Sequence, residues 1–141
     1  METAALPLTA AQHGIWMGQH LDPASPAYLT AEAVEITGSL DTVVLEAALR
    51  EVLTDCDSLH MRFAHDGQAI WQRLDRQADW PLNRLDLSNE TDPWASAQSW
   101  MRAQLTEAVS LAHGPLFATT LLQISPDRHL WFLRVHHVAL D

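Results

Sequence analysis

The final residues, Val135-His136-His137-Val138-Ala139-Leu140-Asp141, bring two imidazoles and a carboxylate within six positions of one another. They follow an apolar run, and titratable groups delivered by a buried strand are unfavourable unless they are paired or used, so the placement marks a site. Strand geometry carried to the end would set His137 on the face of Val135 and Leu133, with His136 opposite beside Arg134. The two rings cannot then share one task. A histidine titrates near neutrality, so such a ring can hold or accept the proton of a nucleophile. Three other readings compete: a metal site, a satisfied core pair without catalysis, and a Ser or Cys hydrolase. Adjacent histidines on a strand diverge, and no neighbouring Cys or Glu completes a tetrahedral set. No G-x-S-x-G elbow occurs, and Cys56 has no catalytic surroundings in the sequence. Spacing favours proton handling and leaves the substrate open.

The elements that must hold these residues are legible in part. Thr9-Ala10-Ala11-Gln12 has the spacing of a capping box and predicts a short helix to about Gln19, stopped by Pro23 and Pro26. Tyr28 to Ile36 reads as a strand closed by Thr37-Gly38. From Asp41, the residues Leu45, Ala48, Leu49, Val52 and Leu53 repeat on one face of a helix. Leu59, Met61 and Phe63 alternate with His60, Arg62 and Ala64; Asp66-Gly67 supplies a hairpin turn, and Ala69 to Leu74 the return strand. A weaker strand spans Leu82 to Leu87. Asp92-Pro93 opens a helix with Trp94, Ala97, Met101, Leu105 and Ala108 as its buried stripe, ended by Gly114-Pro115. Leu116 to Ile124 and His129 to His136 form a second hairpin through Ser125-Pro126-Asp127-Arg128. The last strand is apolar on both sides, Leu130 and Phe132 against Trp131, Leu133 and Val135, as a mid-sheet strand covered above and below would be. The prediction is an α/β fold, a two-layer sandwich of a mixed sheet with helices packed on it.

Composition sets the outer bounds. At 141 residues and 48% apolar, one domain or one lobe of a larger one is expected. Eighteen acidic against eight basic side chains, all eight of them arginine, argue against a nucleic-acid partner recognised by charge. No apolar run is long enough to span a membrane and the start lacks a signal peptide's pattern, so a cytoplasmic setting is expected. Cys56 is a single cysteine and reads as a half-buried structural thiol. The six tryptophans read as core or interface residues.

The terminal His136-His137-Val138-Ala139-Leu140-Asp141 resembles the HHxxxDG motif of nonribosomal peptide synthetase condensation domains, which are similar in fold to chloramphenicol acetyltransferase. Four further segments carry the resemblance in the same order. Thr9-Ala10-Ala11-Gln12 through Ile15-Trp16-Met17 resembles the family's opening SxAQxRLW-type motif. Glu35 to Asp41, continuing through Leu45, Ala48 and Leu49, is similar to its strand-Gly-x-Leu-Asp-helix segment. Leu59 to Phe63 sits where the family carries LRTxF, and Gly114-Pro115-Leu116 matches its GPL. The sequence departs at Asp55-Cys56-Asp57, which replaces RHE, at His60, which replaces an arginine, and at His13-Gly14 in the first motif.

The resemblance implies amide bond formation between an acyl or aminoacyl thioester donor and an aminoacyl acceptor, each brought by a carrier protein on a phosphopantetheine arm. The resemblance implies no directly bound cofactor or metal. It implies that His137 is catalytic, as a general base or as the group that orients the amine, and that His136, Asp141 and Arg62 support the motif, Arg62 pairing with Asp141. Residues 1–141 would form the N-terminal lobe, inactive alone, with a C-terminal lobe and an adenylation domain as partners. A start so close to the first motif implies that the donor arrives on a separate carrier, as in siderophore or lipopeptide initiation. The isolated lobe is expected to be marginally stable or to self-associate, since an apolar lobe surface would be left open. An epimerisation domain, an acyltransferase or a non-catalytic carrier-docking module are the alternatives.

Overall fold

Local hydrogen bonds start the helices where the sequence predicts. In the computed structural model, which describes residues 4–76 and 79–140, helix α1 (Ala10–Leu21) opens on a complete capping box. The Thr9 hydroxyl accepts from the Gln12 amide and the Gln12 side chain accepts from the Thr9 amide. Asp41 caps α2 (Thr42–Asp55) by accepting from the amides of Val43 and Val44. Asp92 caps α3 (Pro93–Gln104), with Pro93 in the first turn, where its missing N–H loses nothing.

Among the described residues, seven strands form two sheets. A short β1 (Leu6–Pro7), β3 (Met61–His65) and β4 (Ile70–Leu74) make an antiparallel sheet in the order β1-β4-β3. Gly67 takes a φ of +90° at the hairpin turn, a backbone conformation that side chains disfavour. The main sheet has the order β2-β7-β6-β5, built from β2 (Leu29–Thr37), β5 (Leu82–Asp86), β6 (Phe117–Ser125) and β7 (Arg128–His136). Three of its strands run antiparallel, and β5 pairs parallel with β6. A parallel pair needs a crossover, and α3 supplies it.

As expected, β7 is central and both its faces are covered. Leu130 and Phe132 join Leu122, Ile124 and Ala97 in one core cluster, flanked by Trp94 and Trp100. Val135 joins the larger cluster of Trp16, Leu49, Leu53, Phe63 and Phe117, with Trp131 and Leu133 packed against it. Each large side chain so buried contributes about 2 kcal/mol.

Three expectations are corrected. Helix α3 stops at Gln104, not at Gly114; Leu105 is its C-cap, and Ala108 lies exposed beyond it. The physical reason is tertiary: Arg134 Nη1 donates to the carbonyl of Gln104 at 2.8 Å, satisfying an end group that would otherwise invite another turn. The apolar face of α2 is only partly used. Leu49 and Leu53 are buried, while Ala48 is exposed and Val52 is 61% exposed. Leu59 belongs to a 3-10 turn (Asp57–His60) before β3, where His60 is buried and its Nε2 meets the Leu53 carbonyl at 2.9 Å. The histidine that replaces an arginine thus ties this turn to the end of α2. Cys56 is half-buried against the core, as read from the sequence.

Candidate active site

The two histidines leave β7 in different environments because their backbones are pinned to different neighbours. The His136 amide donates to the Leu116 carbonyl at 2.7 Å, just before β6, and the His137 amide donates to the Tyr28 carbonyl at 2.8 Å, just before β2. The strand ends at His136. A 3-10 turn over His137–Ala139 follows, so the expected sharing of one strand face by His137 and Val135 does not hold. The prediction that the two rings diverge does: His136 is fully buried and His137 is exposed.

The Val138 amide donates to His136 Nδ1 at 3.2 Å. That nitrogen is therefore the acceptor, and the proton sits on Nε2, which donates to Gln19 Oε1 at 2.9 Å. Gln19 is itself buried, and its Nε2 donates to the carbonyls of Asp22, Ser25 and Pro23 at 3.0, 3.1 and 3.4 Å. One glutamine thus joins α1, the connector after it and the end of β7. Sequence reasoning missed it. The available signal was a polar residue continuing the stripe of Gln12, Ile15 and Trp16 on the inner face of α1. Gln12 uses its place there to exchange amide hydrogen bonds with Gln72 of β4 at 3.0 and 2.9 Å.

Tyr28 lies over Gly18 so closely that a Cβ there would sit 2.0 Å from the tyrosine hydroxyl. The ring whose backbone carbonyl holds His137 therefore depends on a glycine in α1. At the other edge, Arg62 is 4% exposed; its Nη1 donates to the Met61 carbonyl at 3.0 Å, and its Nε lies 3.7 Å from Asp75 Oδ2. Burial pulls its pKa down while Asp75 opposes the shift. The guanidinium rests beneath Gly114, whose φ is +58°. Arg62 thereby supports the corner that leads to Leu116, the residue holding the His136 amide. Asp141 lies outside the described residues, and so does its expected pairing with Arg62; the carboxylate that meets Arg62 here is Asp75. Among the described residues, no three His, Cys, Asp or Glu side chains are grouped as a metal ion would require.

Burial, and secondarily the neighbouring His137, push the His136 pKa down from 6.5 to about 4. The unfolded chain then binds more protons than the folded one between about 6.5 and about 4, so stability falls as pH falls through that window. The full shift is worth on the order of 3 kcal/mol. Urea midpoints measured through this range should drop in the parent and change much less in His136→Asn. Equal slopes in the two proteins would show that some other group is responsible.

Comparison with known proteins places these residues in context. A family model described as "Condensation domain" matches residues 2–141. The isonitrile lipopeptide synthase of Streptomyces coeruleorubidus is 46% identical over 136 residues, which are 96% of this chain and 9% of that protein. The dimodular nonribosomal peptide synthase of Bacillus subtilis (strain 168) is 43% identical over 134 residues, 95% of this chain and 6% of the relative. Enterobactin synthase component F of Escherichia coli (strain K12) is 37% identical, with 96% and 11% covered. The crystal structure of the starter condensation domain of rhizomide synthetase RzmA superposes with a TM-score of 0.89 at 39% identity, covering 96% of this chain and 33% of that one. A mutant of that domain was also solved in complex with C8-CoA. This chain spans a small part of the synthetases and a third of the solved domain.

Proposed function

The chain belongs to the condensation-domain family, and on that footing we propose that it is the N-terminal lobe of an enzyme that joins a carrier-bound acyl thioester to a carrier-bound amine. The observation that carries the reading is the division of labour in the double histidine. His136 is buried with both ring nitrogens engaged, and His137 is held by its backbone with its side chain exposed.

In the proposed reaction the acceptor amine attacks the donor carbonyl, the C–N bond forms, the C–S bond breaks, and the thiol leaves carrying a proton. A thioester is already activated, so most of the rate gain comes from holding amine and carbonyl together. His137 meets the amine, either taking its proton or orienting it as positive charge develops; proton handling of this kind contributes about 10²- to 10⁴-fold. Asp141 braces the motif through an ion pair, with Arg62 as its partner. The phosphopantetheine arms arrive with the two carriers as part of the substrates, and no resident cofactor takes part.

Similarity to a starter condensation domain, a mutant of which was crystallised with C8-CoA, and to a lipopeptide synthase supports an acyl donor delivered by a separate carrier. In this reading a C-terminal lobe closes the site, an adenylation domain loads the acceptor, and the reaction takes place in the cytoplasm. The test is transfer from an acyl-loaded carrier to an aminoacyl-loaded carrier, followed by mass spectrometry of the acceptor. A polypeptide in which this chain is followed by a second condensation-domain lobe should form the amide, and residues 1–141 alone should not. Carrier binding without amide from the two-lobe protein would point to a docking module. Inversion of the acceptor's α-carbon would point to an epimerase.

A further inference from the structure

Building on that reading, we propose that Gln19 is a positioning residue for the reaction: its side-chain amide locks the His136 ring with the proton on Nε2, and through that ring fixes the turn presenting His137. The argument rests on which atoms can donate. The Val138 amide only donates, so His136 Nδ1 accepts and Nε2 carries the proton. An amide nitrogen likewise only donates, and that of Gln19 faces three carbonyls, so its oxygen must face His136. The two ends of the glutamine fix its orientation independently, and they agree. Rotation of the amide would set donors against donors at the ring and oxygen against three oxygens at the connector.

The alternative ring states break the site. A proton on Nδ1 faces the Val138 N–H and removes the side-chain cap of the 3-10 turn that begins at His137. A doubly protonated ring does the same and adds a buried charge beside His137. Among the described residues, the titratable side chains found beside the ring are His137 on the next turn and Tyr28, 6.1 Å away between ring centroids, and the α1 side chain bonded to it is the neutral Gln19. Gln19 and His136 are separated by 117 residues, so the contact comes from the fold and not from local sequence. It also makes α1 part of the active-site frame, since the helix end, the connector to β2 and the end of β7 are tied together through one side chain.

The test uses the two-lobe protein with labelled histidine side chains. Nitrogen NMR of the parent, with the signal assigned through His136→Asn, should show a neutral ring protonated on Nε2 that does not titrate between about pH 5 and 8. Gln19→Glu keeps an acceptor toward the ring, loses the donor to the connector, and should bring the His136 titration into that range. Its kcat should fall about 10²-fold with a displaced pH–rate profile, while KM for the carrier substrates stays within about twofold. Gln19→Met fills the space with neither group, and its kcat should fall to a similar extent at every pH. A role in packing alone predicts that Met is tolerated better than Glu and that neither variant moves the pH profile. Parent His136 protonated on Nδ1, or titrating near neutrality, would overturn the proposal, and that measurement needs no variant at Gln19 to fold. Full activity of His137→Ala would instead defeat the functional reading while leaving the His136 measurement intact.

Discussion

Replacing His137 by alanine in the two-lobe protein should leave the fold as it is and slow amide formation by roughly 10² to 10⁴-fold. The fold is expected to survive because the ring is exposed and the contacts holding this residue belong to its backbone. Its amide donates to Tyr28 and its carbonyl accepts from Leu140, and alanine keeps both. Truncation of an exposed side chain normally changes stability by about 0.5 kcal/mol or less. The same substitution one residue earlier should behave in the opposite way. His136→Ala removes a fully buried ring, the acceptor for the Val138 amide and the donor to Gln19, leaving two buried groups unsatisfied at about 1 to 3 kcal/mol each. Unfolding midpoints and single-turnover rates measured on both variants separate the two roles. Parental amide formation by His137→Ala would end the assignment of that ring to the chemistry.

Part of this contrast is legible in the sequence: alternation along a strand separates the two rings, and the family resemblance gives the reacting role to His137, whereas the exposure of that ring comes from the 3-10 turn that follows β7. Other features are legible for the same local reason. The caps at Thr9, Asp41 and Asp92 satisfy amides two or three residues away, and the Asp66-Gly67 turn closes within its own hairpin, with the Asp66 carboxylate accepting from the amides of Gln68 and Ala69. Central placement of β7 follows from its two apolar faces. The failures share a cause as well. Helix α3 ends where it does because Arg134, thirty residues further on, takes the Gln104 carbonyl, and no local pattern announces that bond. The stripe on α2 is periodic, but periodicity states which face is apolar and not how much of it finds a partner, so Leu53 is buried and Val52 is not. Gln19 stands in plain view on the inner face of α1, where a polar side chain implies a partner; naming His136 requires the fold. Arg62 is picked out by the family pattern, whereas the carboxylate beside it, Asp75, lies at the end of the hairpin's return strand and carries no motif.

The glycine of the Gly-Pro-Leu corner should prove as sensitive as the histidines, and through Arg62. A Cβ on Gly114 would stand 2.5 Å from Arg62 Cζ and 2.6 Å from Nη1, at a φ of +58° that a side chain adopts only with strain. The strain costs about 1 to 2 kcal/mol. The guanidinium cannot stay where it is, and leaving breaks its bond to the Met61 carbonyl and its approach to Asp75. A hydrogen bond made by a charged group is worth about 1.5 to 3 kcal/mol. The cleft open to the displaced side chain is also lined by Arg73, a like charge. Gly114→Ala is therefore expected to destabilise by on the order of 4 kcal/mol, a large share of the ~5 to 15 kcal/mol that holds an ordinary domain together. The origin of the loss can be isolated by a double-mutant cycle. In an Arg62→Met background the obstructing atoms are gone, so the same glycine substitution should cost only the backbone strain, leaving a coupling of about 2 kcal/mol between the positions. Additive losses in the cycle would mean that Gly114 serves the backbone alone. A strong coupling would mean that the corner positioning Leu116 under the His136 amide is shaped around a buried cation, which accounts physically for a glycine at this point of the chain.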